Sequence, residues 1–261
     1  HVIERNAPTQ IHGEPHLSKP VEAEAYIAEV QRRIIPSGIP VEGHVHTVAI
    51  ADVARSIADH AREFESDLVM MCTHGRSGLR KLLFGSIAQQ VVALKVPVLL
   101  VYPEEDGSAP IPTGRPFLVP LDGTQTREEA LPVAAALAHA CGAPLKLLMV
   151  VPTFETLSGA ETTSRILLPA TTQEMLALAY EDAGKYLEPF IAQFSGEGVN
   201  ISGEIRRGDA AEIIAEEARD LGVDLIVMGT AARAGMDAFW SGSVAPKVSN
   251  RTHLPLLLIP G

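Results

Sequence analysis

An internal repeat constrains the fold of this chain more than any other feature. The segment from Asp52 to Val92 aligns without gaps with the segment from Asp209 to Ser249, at an offset of 157 residues, and 16 of the 41 aligned positions are identical. A period of this length indicates two copies of a domain, because the units of solenoid proteins are about 20–50 residues long. The chain of 261 residues is long enough for two domains with cores of their own.

The second copy alternates apolar strand patterns with helical patterns. Phe117–Leu121 and Leu145–Val151 are predicted as buried strands, and an Ala-rich helix between Glu128 and Cys141 is ended by Gly142. Asp209 is placed to cap a later helix. Further segments complete the pattern: a helix at 172–194, strands at 199–205, 225–228 and 256–259, and helices at 210–221 and 242–250. This alternation predicts an α/β fold, with a parallel sheet covered by helices on both faces.

The first copy enters the same pattern late. His1–Ile3 matches the end of the second strand, Met149–Val151, and about 34 residues equivalent to 115–148 have no counterpart upstream. We therefore predict an N-terminally incomplete domain at 1–104, a linker at 105–114 rich in Pro, Gly and acid, and a complete domain at 115–261. The missing first strand and helix are expected from truncation, which the absence of an initiator Met favours, or from a half-domain that a partner completes.

Composition excludes several classes of protein. Hydrophobic residues are 46% and charged residues 20% of the chain, as in a folded globular protein. No apolar run reaches the roughly 18 residues of a membrane helix, and the start lacks a signal-peptide pattern. The net charge of −11 opposes general attraction to nucleic acid or to an anionic membrane. Two cysteines are too few for a disulfide framework, so a cytoplasmic location is expected.

Each copy carries a loop of small residues after its fourth strand, followed by Gly-Ser at the start of a helix. In copy one the loop runs from Cys72 to Ser86, and in copy two from Gly229 to Ser243. Glycines let the main chain approach a phosphate, and a helix start offers unpaired N–H groups and a hydroxyl. In open parallel sheets, ligands bind at the carboxyl ends of the strands. The pattern therefore indicates a nucleotide site, in which Asp122 after the first strand suits a ribose hydroxyl or an adenine edge.

The spacing Gly-x2-Gly-x9-Gly-Ser resembles the ATP-binding signature of the universal stress protein family. Thr73–Gly78, Leu83–Ala88 and Val119–Thr124 look typical of that family. The resemblance implies two open five-stranded parallel sheets in the order 3-2-1-4-5, ATP as the ligand, and pairing through the last strands, between chains as a homodimer or within this chain. It implies the following nucleotide-binding residues: Pro120, Leu121, Asp122, Val150, Met228, Gly229, Ala232, Arg233, Gly242, Ser243 and Val244 in copy two, and Gly75, Arg76, Gly85 and Ser86 in copy one.

Neither copy keeps the signature intact. Cys72 replaces the first glycine of copy one and is expected to be buried, and Ala232 replaces the second glycine of copy two. Copy two, which alone has the strand-end Asp122, is predicted to hold the more complete site. Other readings stay open: the glycines serve tight turns, Asp122 is a helix cap, Arg76 and Arg233 are solvated charges, and the fold is a nucleotide-free interaction module.

Catalytic and metal-binding motifs are not evident in the sequence. The chain has no phosphate-binding loop with a catalytic lysine, no Gly-x-Ser-x-Gly elbow and no Cys-x2-Cys pair. We therefore predict a regulatory ATP-binding protein with at most slow hydrolysis. His44 and His46 share one face of a strand, but they and the other histidines lack tight ligand spacing, and no metal site is expected.

Overall fold

The computed structural model describes residues 1–5, 10–11, 14–15, 17–72, 86–103, 112–157, 167–230 and 243–261. The strands are β1 (Gln10–Ile11), β2 (Glu14–Pro15), β3 (Val69–Cys72), β4 (Val98–Val101), β5 (Phe117–Leu121), β6 (Leu145–Val151), β7 (Ile201–Arg207), β8 (Leu225–Thr230) and β9 (Leu256–Pro260). The helices are α1 (Pro20–Ile34), α2 (Val53–Glu63), α3 (Ser86–Ala93), α4 (Gln125–Glu128), α5 (Ala130–Cys141), α6 (Pro169–Gly196), α7 (Ala210–Asp220) and α8 (Val244–Ser249), with a short 3₁₀ turn at Ile35–Ser37. No helix in these ranges is both long and apolar enough to span a membrane.

The described residues form two compact units, at 1–67 and from 68 to the C-terminus. The second unit is an α/β fold built on a seven-stranded sheet in the order β3-β4-β9-β8-β5-β6-β7. The five strands of copy two run parallel and follow the order 3-2-1-4-5, as the resemblance implied. Every residue of β5 and β8 is buried, as expected of central strands covered on both faces.

The last strands of the two copies pair with each other within the chain. β4 and β9 are antiparallel, with Val98 opposite Leu258 and Leu100 opposite Leu256. β4 also pairs with β3, and β9 also pairs with β8, so neither last strand keeps a free edge. Of the two arrangements expected, homodimer or internal pairing, the internal one is therefore the one that these strands form.

Copy one, expected to lack its first strand and helix, does not form a five-stranded sheet of its own in the described residues. Its fourth and fifth strands, β3 and β4, extend the sheet of copy two. In the order 3-2-1-4-5, strand 1 joins strands 2 and 4, so a copy without strand 1 has no continuous ladder. Cys72, expected to be buried, is exposed because β3 is an edge strand of the large sheet.

The first unit holds α1, α2 and the hairpin of β1 and β2. Its chain start lies beside residues 44–50: Glu4 bridges Ile50 in the parallel sense, and the amide of His46 donates to the carbonyl of His1 at 2.9 Å. Asp52 caps α2 by accepting from the amide of Arg55 at 2.9 Å. Burial, followed by the charges of His60 and His44, lowers the pKa of His46.

Candidate functional site

A cleft opens at the carboxyl ends of β5, β6 and β8, where the resemblance placed the nucleotide. The cleft has a cavity volume of about 70 Å³, or about 510 Å³ when the open space at its mouth is included. The described lining consists of Pro120, Leu121, Asp122, Arg127, Val150, Ala210, Ile214, Met228, Gly229, Ser243, Val244 and Ala245.

Asp122 follows β5 directly and holds the turn into α4. Its Oδ1 accepts from the amide of Thr124 at 3.0 Å and from the hydroxyl of Thr124 at 2.6 Å, which is an Asx turn over Gly123. Gly123 has φ of +79°, the left-handed conformation that glycine adopts without strain. Asp122 therefore holds a local turn and is not the N-cap residue of α4, which is Thr124, while its carboxylate lines the cleft, half-exposed at 51%.

Arg127 is a charged lining residue that sequence reasoning missed. Its Nε donates to Oδ2 of Asp122 at 3.2 Å, and its Nη1 donates to the carbonyl of Gly229 at the end of β8. The side chain is 22% exposed. Arg127 thus links the ends of two strands across the cleft and places a cation beside the only carboxylate among the described lining residues. The available signal was a basic residue one helical turn after the strand-end aspartate.

The neighbouring Glu128 is engaged elsewhere. The hydroxyl of Tyr186, on α6, donates to Oε1 of Glu128 at 2.8 Å. Burial and the adjacent Glu128 carboxylate raise the pKa of Tyr186, so that the phenol stays a proton donor. Glu128 therefore bonds to α6, whereas Arg127 pairs with Asp122.

Gly229, the first glycine of the signature in copy two, packs against backbone. A Cβ at this position would lie 2.7 Å from the Cα of Arg127 and 3.0 Å from the carbonyl oxygen of Thr126. No side chain fits at this spacing. Gly229 lies within β8, so its role here is close packing against the backbone and not the tight turn that the sequence left open as an alternative. The equivalent Cys72 lies on β3, which pairs on one side only, and its side chain is exposed.

Ser243 lies at the mouth of the cleft as the N-cap residue of α8. Its backbone is extended, with φ of −76° and ψ of 140°, but its side chain makes no capping hydrogen bond. The hydroxyl is therefore not engaged by its own helix. With Val244 it lines the cleft opposite the apolar side chains of Val150, Ile214 and Met228.

The structure thus brings eight of the expected residues to one cleft, namely Pro120, Leu121, Asp122, Val150, Met228, Gly229, Ser243 and Val244. Six others lie outside the described residues, namely Gly75, Arg76, Gly85, Ala232, Arg233 and Gly242. Ser86 is the first residue of α3. Arg127, Ala210, Ile214 and Ala245 join the lining without having been expected.

Comparison with known proteins adds a family to this geometry. The chain is 28% identical over 145 residues to a universal stress protein of Methanocaldococcus jannaschii, and the aligned segment covers 55% of this chain and 80% of that protein. It is 29% identical over 147 residues to the universal stress protein YxiE of Bacillus subtilis, spanning 55% of this chain and 97% of that protein.

A solved structure shares the fold along most of the chain. The crystal structure of a universal stress protein from Archaeoglobus fulgidus superposes with a TM-score of 0.64 at 20% identity, covering 92% of this chain and 76% of that one. The family model described as "Universal stress protein family" matches residues 1–102 and again 114–260. Two matched segments in tandem account for nearly all of the sequence, and the chain therefore belongs to the universal stress protein family.

Proposed function

We propose that this chain is a regulatory protein that binds an adenine nucleotide, ATP, in the cleft of copy two. The observation that carries the proposal is the convergence of Asp122, Val150, Met228 and Ser243, from four separate segments, on one cleft at the strand ends. Such a place in an open parallel sheet is where ligands bind. The signature that resembles the ATP-binding motif of the family supplies the identity of the nucleotide.

The apolar wall suits the base and the polar residues suit the sugar. Val150, Ile214 and Met228 offer apolar surface that a flat purine can cover. An ionised carboxylate accepts about four hydrogen bonds, and Asp122 receives three from Thr124 and Arg127. One acceptor direction on Oδ2 is left, which is enough for a ribose hydroxyl.

Arg127 and Ser243 supply a cation and a hydroxyl donor for the phosphates. A guanidinium has five N–H donors, and Arg127 uses two of them on Asp122 and Gly229. The other three can reach phosphate oxygens with the charge-assisted bonds that arginine forms well. The hydroxyl of Ser243 adds a donor that its helix does not use. Ala232, Arg233 and Gly242 are proposed to complete the phosphate contacts.

Regulation by such a site follows from ligand linkage. A nucleotide that binds one conformation of the strand-end loops stabilises that conformation, and a surface formed by those loops changes with it. No described residue of the cleft is placed as a general base, so turnover of ATP is proposed to be slow at most.

Calorimetry with ATP tests the proposal. Ser243→Ala removes a hydroxyl that makes no capping hydrogen bond, so it should leave the fold intact. It should weaken the binding of ATP by about 3–10-fold. Asp122→Asn keeps an acceptor for the hydrogen bonds from Thr124, and it should weaken the binding of ATP and the binding of adenosine to the same extent. Asp182→Asn, on an exposed part of α6, is the control and should change neither. If millimolar ATP gives the parent chain neither heat nor a thermal shift, the proposal fails.

A second candidate, a nucleotide-free interaction module, is favoured by one observation. Arg127 already occupies Asp122 and the carbonyl of Gly229, and so fills part of the cleft. In this alternative the ion pair is a structural link and no ligand is needed. Adenine nucleotide that stays with the protein through purification, detected after denaturation, would rule the alternative out.

A further inference from the structure

Three histidines, none of which lines the cleft, meet in the first unit. His44 and His46 lie in the stretch before Ile50, and His60 lies two turns into α2. Their ring centroids are 4.3 Å apart for His46 and His60, 4.9 Å for His44 and His60, and 5.4 Å for His44 and His46. One ring nitrogen of each lies within 4.8 Å of those of the other two. The sequence showed the alternation of His44 and His46, but the third histidine comes from tertiary packing.

From this arrangement we propose that His44, His46 and His60 form a binding site for a divalent transition-metal ion of the zinc class. Imidazole nitrogen is a preferred ligand of such ions, and three histidines with one open position form a known zinc arrangement. Nitrogen ligands of tetrahedral zinc lie about 3.3 Å apart, given Zn–N bonds of about 2.0–2.1 Å. Small rotations of side chains that are exposed or half-buried bring the three nitrogens to that spacing.

The backbone around the histidines is fixed from two sides. Gly43 lies so close to α1 that a Cβ would be 2.3 Å from a methyl carbon of Ile27, and Gln31 donates to the carbonyl of Val41 at 3.3 Å. The amide of His46 donates to the carbonyl of His1. Residues 41–46 are therefore held against α1 while the imidazoles meet α2, which means that the site is positioned before an ion arrives.

A polar partner stands behind one of the three imidazoles. The hydroxyl of Ser56, buried at 8% exposure and one turn before His60 on α2, lies 3.3 Å from Nε2 of His46. When the Ser56 hydroxyl accepts a hydrogen bond from Nε2–H of His46, Nδ1 of the same ring is unprotonated and its lone pair can bind a metal ion. Histidine ligands are commonly oriented by such a second hydrogen bond, which fixes the tautomer.

The surroundings suit a cation with one open coordination position. Phe64 borders the rings of His44 and His60, with centroids 6.1 and 5.7 Å away. Glu63 follows His60 by three residues on α2. The fourth position is left to water or to that carboxylate. A bound ion would tie residues 44–46, which lie outside helix and strand, to α2.

Titration of the full 261-residue chain with zinc tests the proposal. The protein carries no histidine tag, and a chelator first removes any bound metal. Calorimetry then measures the binding of Zn²⁺, and the visible absorption spectrum of bound Co²⁺ reports tetrahedral nitrogen coordination. We expect one saturable Zn²⁺ per chain, loss of that site in the His46→Asn, His60→Asn double variant, and binding weaker by about 10–100-fold in Ser56→Ala. His139→Asn, an exposed histidine of α5, is the matched control and should bind as the parent does.

Further readings separate lost coordination from lost folding. Far-UV circular dichroism of the metal-free variants checks the fold, and His44→Asn removes the one exposed ligand of the three. This single variant should abolish the Co²⁺ spectrum while thermal unfolding of the metal-free chain is unchanged. The proposal is overturned if the parent shows no saturable zinc binding, or if the double variant and His44→Asn bind zinc with the parent's affinity and stoichiometry.

Discussion

Nε of Arg127 lies 3.2 Å from Oδ2 of Asp122, at the mouth of a cleft that the ends of two strands share. The pair has two opposite consequences for a ligand. It occupies one acceptor direction of the carboxylate, and it brings three N–H donors to the place proposed for phosphate. Which consequence dominates decides between the two candidate functions.

Replacement of Arg127 by Met separates these consequences. The variant keeps the volume of the side chain and removes its charge, so we expect ATP to bind about 10–100-fold more weakly, as for lost hydrogen bonds to a charged group. Adenosine, which carries no phosphate, should change by less than about threefold. Calorimetry with both ligands measures the ratio, with Arg219→Met on the exposed face of α7 as the control. Tighter binding of ATP to Arg127→Met would show that the arginine blocks the cleft.

Gly229→Ala should destabilise the chain whether or not nucleotide is present. The added methyl group would lie 2.7 Å from the Cα of Arg127, and the backbone has to move to accommodate it. Overpacking of this kind costs about 1–3 kcal/mol, which lowers the melting temperature by roughly 2–4 °C per kcal/mol in a domain of this size. Gly196→Ala, at the end of α6 with no atom within 4 Å of the new Cβ, should not destabilise. Equal melting temperatures for both variants would contradict the packing role of Gly229.

Tyr102 and Ser249 predict a loss of stability in alkali. Their hydroxyl oxygens are 2.5 Å apart in a buried contact, and burial raises the pKa of Tyr102. Above pH of about 10 the unfolded chain loses the tyrosine proton while the native chain retains it, so the free energy of unfolding falls as pH rises. Below that pH both states keep the proton and the contribution is fully present.

Denaturant unfolding between pH 8 and 11 measures this effect. Tyr102→Phe should lower stability at pH 8 by about 1–3 kcal/mol, because the buried hydroxyl of Ser249 loses its partner, and should flatten the alkaline decline. Tyr26→Phe, at an exposed tyrosine of α1, serves as the control and should follow the parent curve. If the free energy of unfolding of Tyr102→Phe falls with pH as steeply as that of the parent, the alkaline loss of stability belongs to groups other than Tyr102.

Removal of copy one should expose a strand edge and cause association. A fragment of residues 112–261 keeps β5 to β9 but loses β4, the partner of β9. Exposed edges with unpaired N–H and C=O groups recruit other chains, so we expect the fragment to dimerise through β9. Light scattering coupled to size-exclusion chromatography measures its mass against that of the full chain. A fragment that stays monomeric at high micromolar concentration, with its circular dichroism spectrum intact, contradicts the expectation.

Local signals in the sequence predicted the elements of copy two well. β5 and β6 have the predicted bounds, and Asp209 caps α7 by accepting from the amide of Glu212 at 3.0 Å. Gly142 ends α5 with φ of +64°. These features depend on residues within one turn or one strand of each other, and so a sequence window contains them whole.

Features that depend on distant contacts could not be predicted in this way. Arg127 reaches Gly229 across 102 positions of sequence, and His60 meets His44 only because α2 packs beside residues 41–46. Cys72 is exposed on β3, which has a partner on one side only. In the order 3-2-1-4-5 the other neighbour of strand 4 is strand 1, which copy one does not have among the described residues, and the composition of β3 alone does not show this. Neither hydrophobic periodicity nor capping residues carry this information.

The antiparallel joint between β4 and β9 sets the polarity of the whole sheet. β3 and β4 run in one direction and the five strands of copy two run in the other. Cys72, at the C-terminal end of β3, and Gly229, near the C-terminal end of β8, therefore lie at opposite borders of the sheet. A strand of four or five residues spans about 13–17 Å. The carboxyl ends of β3 and β4 are therefore at least a strand length from those of copy two, and the two sets of strands are joined by the ladder of Val98–Leu100 with Leu256–Leu258.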